Sequence, residues 1–199
     1  ADDHEKQIEK GTMVTIGRII PEGTYQAYYK EKISPVVLSE FRGRWLILLF
    51  YPGDFTFVCP TELAEMGRLY PEFTKLSAEV CGVSTDSAYV HKAWHDHSPT
   101  MRTVTFPFIA DPTGSLSREF GVYLEDEGVA LRGTFLIDPD GVLRAYEVHD
   151  NSIGRHAGEM LRKLQAAIRV REGDGEVCPA NWQPGQPTLT PSLDLVGKL

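Results

Sequence analysis

The chain lacks a long apolar run, has little cysteine and carries no surplus of basic residues. No apolar stretch approaches the roughly 20 residues needed to span a bilayer as a helix, so no membrane partner is expected. Three cysteines occur among 199 residues, Cys59, Cys81 and Cys178, and none stand two residues apart. That excludes a Cys-x-x-Cys redox pair or zinc knuckle, and an odd, small count does not suit a disulfide-stapled secreted scaffold. A cytoplasmic protein with one or two chemically employed thiols is the expectation. Twenty Lys and Arg against 28 Asp and Glu leave a net charge of −8, which argues against nucleic acid as the main partner. Neither Gly-x-Gly-x-x-Gly nor Gly-x-x-x-x-Gly-Lys-Ser/Thr occurs, so no dinucleotide site, no phosphate loop and no bound cofactor are expected. Residues Ala1 to Gln7 are polar, have no apolar signal core and start without Met, which reads as a processed or trimmed start.

What is present reads as one α/β domain with a tail. After a polar, loop-like opening to Gly23, Thr24–Tyr29 alternates and is aromatic, an edge strand or hairpin arm, with a second short strand at Val36–Leu38. Trp45–Phe50 is continuously apolar, the pattern of a buried central strand. Leu63, Met66, Leu69, Tyr70, Phe73 and Leu76 recur at helical spacing, with Pro71 expected to kink or restart that helix. Val80–Ser84 is the next strand, and Thr85-Asp86-Ser87 caps a helix through Trp94. Phe106–Ala110 is a strand, Leu116–Phe120 a short helix, and Thr134–Asp138 pairs with Val142–Val148 across the turn Pro139-Asp140-Gly141. His156–Val170 is a long helix. The order predicts a mixed sheet with helices on both faces, a domain over residues 1–171 and an irregular Gly- and Pro-rich tail over 172–199.

The chain is organised around the stretch from Trp45 to Glu62. Tyr51-Pro52-Gly53-Asp54 breaks the strand, and Cys59-Pro60-Thr61-Glu62 opens the following helix. Pro suits a first helical position and an acid suits the first turn, so Cys59 is predicted at a helix start, where unpaired N–H groups favour a thiolate. The plain alternative is a buried structural cysteine, since free Cys is among the most buried residue types. Two features tip the balance: Thr56 stands three residues earlier in the same loop, where its hydroxyl can reach the sulfur or an incoming oxygen, and Pro52 breaks the strand just ahead, so the loop is not simply continued sheet. Cys81, inside an apolar strand, reads as core. His91 and His95 stand one helical turn apart, but no cysteine or carboxylate completes an obvious ligand set, so no metal is expected.

Pro52-x-x-x-Thr56-x-x-Cys59 resembles the active-site motif of the peroxiredoxins, and Phe50–Glu62 as a whole resembles the typical two-cysteine group, in particular the bacterial alkyl hydroperoxide reductases of the AhpC type. His91-Lys-Ala-Trp-His95, Asp111-Pro-Thr-Gly114, Glu176-Val-Cys-Pro-Ala-Asn-Trp182 and the terminus Thr188–Leu199 extend the similarity. The resemblance implies a thioredoxin-like fold and thiol-dependent reduction of hydrogen peroxide and alkyl hydroperoxides. It implies that Cys59 is the peroxidatic cysteine, that Arg132 polarises the peroxide, that Thr56 hydrogen-bonds it, that Pro52 shields the sulfur and that Glu62 orients arginines. It further implies that Cys178, in a Gly-flanked tail where packing explains a thiol poorly, resolves the sulfenic acid of a partner subunit. A homodimer assembling to a decamer is implied, as is a protein reductant, either a flavoprotein disulfide reductase or a thioredoxin-like protein.

The chain departs from the easily overoxidised members, which carry a Gly-Gly-Leu-Gly insertion and a C-terminal Tyr-Phe pair. It has His97–Thr103 in the first place and ends Gly197-Lys198-Leu199, which predicts an enzyme robust to overoxidation. Two other classes stay open on the residues alone: a chaperone-like binding protein without turnover, and a thiol-disulfide oxidoreductase. The wide separation of the cysteines counts against the second.

Overall fold

The computed structural model describes residues 13–199, so most of the polar opening segment lies outside the described residues. The chain falls into two compact units, one ending at Ala157 and the other spanning Gly158–Leu199.

The first unit is built on one sheet. Strands β1 (Thr24–Tyr29) and β2 (Lys32–Val37) form a hairpin. Its two turn residues, Lys30 and Glu31, both have positive φ, the geometry whose twist matches the flanking strands. A 3₁₀ turn at Leu38–Phe41 leads to β3 (Trp45–Phe50), in which every residue is buried. Next come α1 (Cys59–Lys75), β4 (Ala78–Ser84), α2 (Ala88–His97) and β5 (Phe108–Ala110). The short helix α3 (Ser115–Glu119) and the small ribbon of β6 (Tyr123–Leu124) and β7 (Val129–Ala130) precede β8 (Arg132–Ile137) and β9 (Leu143–His149). Helix α4 covers Ala157–Glu172.

The large sheet has the order β2-β1-β5-β4-β3-β8-β9. Strands β3, β4 and β5 run parallel, while β1, β8 and β9 pair antiparallel. This explains the sequence pattern. The central strands β3 and β4 are buried throughout and are mostly apolar, whereas β9 at the edge alternates exposed and half-buried positions after Leu143. On one face Leu46, Leu48 and Phe50 join Cys81, Val83, Phe135 and Ile137 in a core shared with Leu116 and Phe120 of the α3 region. Phe50, Phe120 and Phe135 meet at ring separations of 4.8 to 5.5 Å, each pair adding about 0.5–1.5 kcal/mol beyond its burial. The alternate residues Ile47, Leu49 and Val80 point the other way, where α1 packs on β4. Gly82 is required by close approach, since a Cβ there would lie 2.8 Å from the Phe108 ring.

Three expectations shift. Thr24–Tyr29 is a hairpin arm and lies inside the sheet, with β2 at the edge. The helix runs unbroken through Pro71, which is solvent-exposed, because Leu63 and Met66 before it and Phe73 after it anchor one continuous buried face. Pro60 takes the second helical position, Cys59 the first.

In the second unit the segment after α4 is irregular but folded. Val177 and Leu189 form an antiparallel bridge. Trp182 is buried, its Nε1 donates to the Gln186 carbonyl at 3.0 Å, and its own carbonyl accepts from Arg162 at 2.9 Å. Among the described residues no helix is long and apolar enough to cross a membrane.

Candidate active site

The chain leaves β3 at Tyr51 and returns as α1 at Cys59. Between them the Asp54 N–H donates to Asp86 Oδ2 at 2.8 Å, and Thr56 Oγ1 donates to the Gly53 carbonyl at 2.7 Å. Phe55 has a φ of 57°, a region that a bulky residue rarely occupies. Val58 caps the helix: its carbonyl accepts from the N–H groups of Thr61 and Glu62 at 3.0 and 3.2 Å.

Cys59 is at 0 % exposure, and its Sγ accepts a hydrogen bond from Arg132 Nη1 at 3.2 Å. Arg132 is the first residue of β8, the antiparallel neighbour of the strand that delivers the cysteine loop. Its guanidinium is held by two further acceptors: Nε donates to the Asn151 carbonyl at 2.9 Å and Nη1 to Glu62 Oε1 at 2.7 Å. Glu62 lies one helical turn beyond Cys59. It also binds Arg155, with Nε on Oε2 at 2.7 Å, Nη2 on Oε1 at 3.0 Å and the Arg155 backbone N–H on Oε2 at 2.8 Å. Arg155 is pinned in turn to the Gly133 carbonyl and Thr134 Oγ1 at 3.0 and 3.1 Å.

These partners set the charges. Burial pushes the Glu62 carboxyl up, but the hydrogen bonds and charge of Arg155, then the charge of Arg132, hold it below its ordinary value. Burial pulls Arg132 down, but the bond to Cys59 and the charge of Glu62 hold it above its ordinary value. Two guanidinium ions and one carboxylate are buried together, a group with one net positive charge, and the Cys59 sulfur lies against one of the guanidinium ions. An unmatched buried charge costs several kcal/mol.

The structure therefore brings Cys59, Glu62 and Arg132 into contact. Pro52 is half-buried at the start of the loop, and Thr56 is exposed, bonded to Gly53. With its proton committed to that carbonyl, the Thr56 hydroxyl presents lone pairs to anything entering from solvent. Cys178 belongs to the second unit, half-buried, its Sγ 3.7 Å from the Ala166 carbonyl of α4. All three cysteines are free thiols. Cys81 is fully buried, and burial pushes its thiol far above the ordinary value, which fits a core residue. His91 is engaged at both ring nitrogens, by Asp54 and the Ile109 carbonyl, and His95 packs against Tyr28 and Phe108. Among the described residues no group of three or more His, Cys, Asp or Glu is arranged to hold a metal ion. Two contributors escaped sequence reasoning, Arg155 and the carbonyl of Asn151. Both lie in the loop between β9 and α4, and neither carries a local signal.

The parallel strands joined by helices, the antiparallel hairpin of β8 and β9, and a buried cysteine at a helix start against an arginine define a class: a thioredoxin-fold peroxidase that works through a thiol. The chain belongs to the AhpC/TSA family, whose profile matches residues 16–146. A second profile, the C-terminal domain of 1-Cys peroxiredoxin, matches residues 167–199, the segment that holds Cys178. The chain is 47% identical over 188 residues to alkyl hydroperoxide reductase C of Amphibacillus xylanus, covering 94% of this chain and 100% of that one. The same enzyme of Staphylococcus aureus is 47% identical over 189 residues, at 94% and 100% coverage. Among solved structures, Enterococcus faecalis AhpC superposes with a TM-score of 0.81 at 42% identity, over 84% of this chain and 100% of that one. Reduced Plasmodium vivax 2-Cys peroxiredoxin gives a TM-score of 0.86 at 33% identity, over 90% and 94%.

Proposed function

We propose that Cys59 is the peroxide-reactive thiolate of a two-cysteine cycle that reduces hydrogen peroxide and alkyl hydroperoxides. The observation that carries this is the buried charge count: Arg132 and Arg155 share a single carboxylate, Glu62, and the guanidinium of Arg132 also faces the sulfur at 3.2 Å. An anionic sulfur balances the site, and the start of α1 adds the positive end of a helix dipole.

The sulfur attacks the terminal peroxide oxygen. An S–O bond forms, the O–O bond breaks, and the departing alkoxide or hydroxide takes a proton to leave as alcohol or water. Cys59 becomes a sulfenic acid. Arg132 is an always-charged, multi-donor group beside the reacting atoms, suited to hold the peroxide and offset charge on the leaving oxygen. Thr56 accepts the hydroperoxide O–H, and Pro52 walls the sulfur from water. Glu62 fixes Arg132, and Arg155 fixes Glu62. Cys178 of a partner subunit then attacks the sulfenic sulfur, giving a disulfide and water. The Cys59 turn must open for this step, since its sulfur is fully buried in the closed state.

A homodimer, assembling further to a decamer, provides the partner. A flavoprotein disulfide reductase or a thioredoxin-like protein reduces the disulfide in a cytoplasmic setting, and without the overoxidation-prone insertions Cys59 resists sulfinic acid formation. Non-reducing electrophoresis after one equivalent of hydrogen peroxide tests the cycle. A dimer band that is lost in both Cys59→Ser and Cys178→Ser is expected. A band that stays monomeric in the native sequence overturns the intersubunit step.

A further inference from the structure

Beneath the cysteine loop lies a run of buried polar groups that the chemistry above does not use. Tyr51 Oη donates to Asp54 Oδ1 at 2.6 Å. Asp54 Oδ2 lies 2.6 Å from His91 Nδ1, and His91 Nε2 lies 3.0 Å from the Ile109 carbonyl. Tyr51, His91 and the Asp54 side chain all have 0 % exposure. A carbonyl oxygen only accepts, so His91 Nε2 carries a proton. One more proton lies between Nδ1 and Oδ2. Whichever atom holds it, the pair has no net charge and makes a single short bond in a dry site, where such bonds are strongest.

The placement of this network is informative. Tyr51 immediately follows β3, His91 is on α2 and Ile109 is on β5. Asp54 alone sits in mid-loop, five residues before Cys59. Its backbone N–H is tied down as well, to Asp86 Oδ2, which also accepts from Ser84 Oγ at 2.6 Å. The residue after it, Phe55, is held in the left-handed region and reaches the Trp94 ring of α2 at 6.2 Å. A backbone conformation of that kind persists only where its surroundings over-determine it. Core packing alone does not require a carboxylate here: burial pushes Asp54 up, against the bond and charge supplied by His91.

We propose that Asp54 is a positioning residue for the peroxide reaction. Through Tyr51 and His91 it clamps the loop that sets Cys59 against Arg132, and the strength of this clamp sets how Cys59 partitions between its buried, attacking state and an exposed one. The proposal deepens the reading of Cys59 given above and rests on it.

The clamp predicts opposite changes in two rates at one sulfur. Reaction with hydrogen peroxide needs Cys59 against Arg132, whereas alkylation by iodoacetamide, mapped to Cys59 by peptide mass, needs the buried sulfur exposed. In the full-length protein, Asp54→Ala should slow the peroxide step and speed alkylation, each roughly tenfold to a hundredfold, as for a lost buried hydrogen bond. Tyr51→Phe, which removes one donor without changing shape, should give the same split at smaller size. Asp54→Asn should restore the native split: its Oδ1 accepts from Tyr51 and its Nδ2 donates to Nδ1 of a neutral His91.

Unchanged rates in Asp54→Ala would overturn the proposal. So would an Asn variant as impaired as the Ala variant, or a parallel fall of both rates, which a released loop does not give; because unfolding would also expose the buried sulfur, the split counts only in a variant whose far-UV circular dichroism stays native. If Asp54→Ala does not fold, Tyr51→Phe decides on the same criteria. If native Cys59 shows no fast peroxide reaction, the catalytic reading fails on its own, and the alkylation arm still judges the clamp: unchanged alkylation across the variants overturns it.

Discussion

Cys59 opens α1 and Cys81 lies in the middle of β4, and neither sulfur is exposed to solvent. Cys81 pairs in register with Leu48 within an apolar cluster, where burial keeps it a neutral thiol. Cys59 has a guanidinium 3.2 Å from its sulfur and lies beside a buried group of two guanidinium ions and one carboxylate. The same burial that silences one thiol makes the charge balance around the other decisive. On the proposed reading, what separates the reactive cysteine from the inert one is the partner, not the accessibility.

The sharpest way to break this contrast is to exchange the two sulfurs for inert atoms. Cys59→Ser should abolish peroxide turnover. Cys81→Ala should leave turnover intact and lower stability by about 1–2 kcal/mol, the scale of a small core truncation, read from urea unfolding. Loss of turnover in Cys81→Ala would show that partner chemistry is not what distinguishes them.

Removing the partner comes next. Arg132→Met should slow oxidation of Cys59 by roughly 10²- to 10³-fold, the usual effect of deleting one charge-stabilising donor at a reacting centre. Arg132→Lys should fall between, because a point charge cannot serve the sulfur, Glu62 and the Asn151 carbonyl at once. Stopped-flow rates at saturating reductant measure both.

Glu62→Gln tests the charge count from the other side. Breaking a buried ion pair by removing one partner typically costs about 3–5 kcal/mol. The pH dependence follows from the lowered value of Glu62. In the unfolded chain it titrates near 4.5, and in the folded protein lower, so its stabilisation is fully present above pH 4.5 and is lost as pH falls through the folded value. The Gln variant should therefore show a flatter acid limb than the native protein when urea midpoints are compared from pH 7 to pH 3.

A smaller form of the same comparison separates two histidines one turn apart. His91 has a carboxylate partner, whereas His95 Nε2 is buried with none, and burial lowers its value below the ordinary 6.5. A neutral buried imidazole contributes stability above pH 6.5 that is lost as pH falls through its folded value. His95→Asn, which keeps a donor toward the His91 carbonyl, should narrow the stability difference between pH 7.5 and pH 5.5.

The legible half of the site is the half that is local in sequence. The strand, break and helix start that carry Cys59, and the spacing of Pro52 and Thr56 before it, are contiguous and readable from composition and periodicity. Arg132, 73 residues from Cys59, and Arg155, 93 residues from Glu62, converge only through the pairing of β8 with β3 and the fold of the loop after β9. No local pattern carries that: Arg132 is reached only through the resemblance, and Arg155 has no signal in the sequence. Pro71 shows a complementary limit: local propensity argued for a break, and the buried face of α1 overrode it. The edge position of β2 and the inward one of β1 were set by long-range pairing with β5, again beyond any single window.

Where a single oxygen lands separates the two buried thiols most directly. Reduced protein carrying Cys178→Ser, given one equivalent of hydrogen peroxide and trapped with dimedone, should carry the label on Cys59 and none on Cys81 by peptide mass. A label on Cys81, or an unlabelled Cys59, would contradict the assignment of Cys59 as the reactive sulfur.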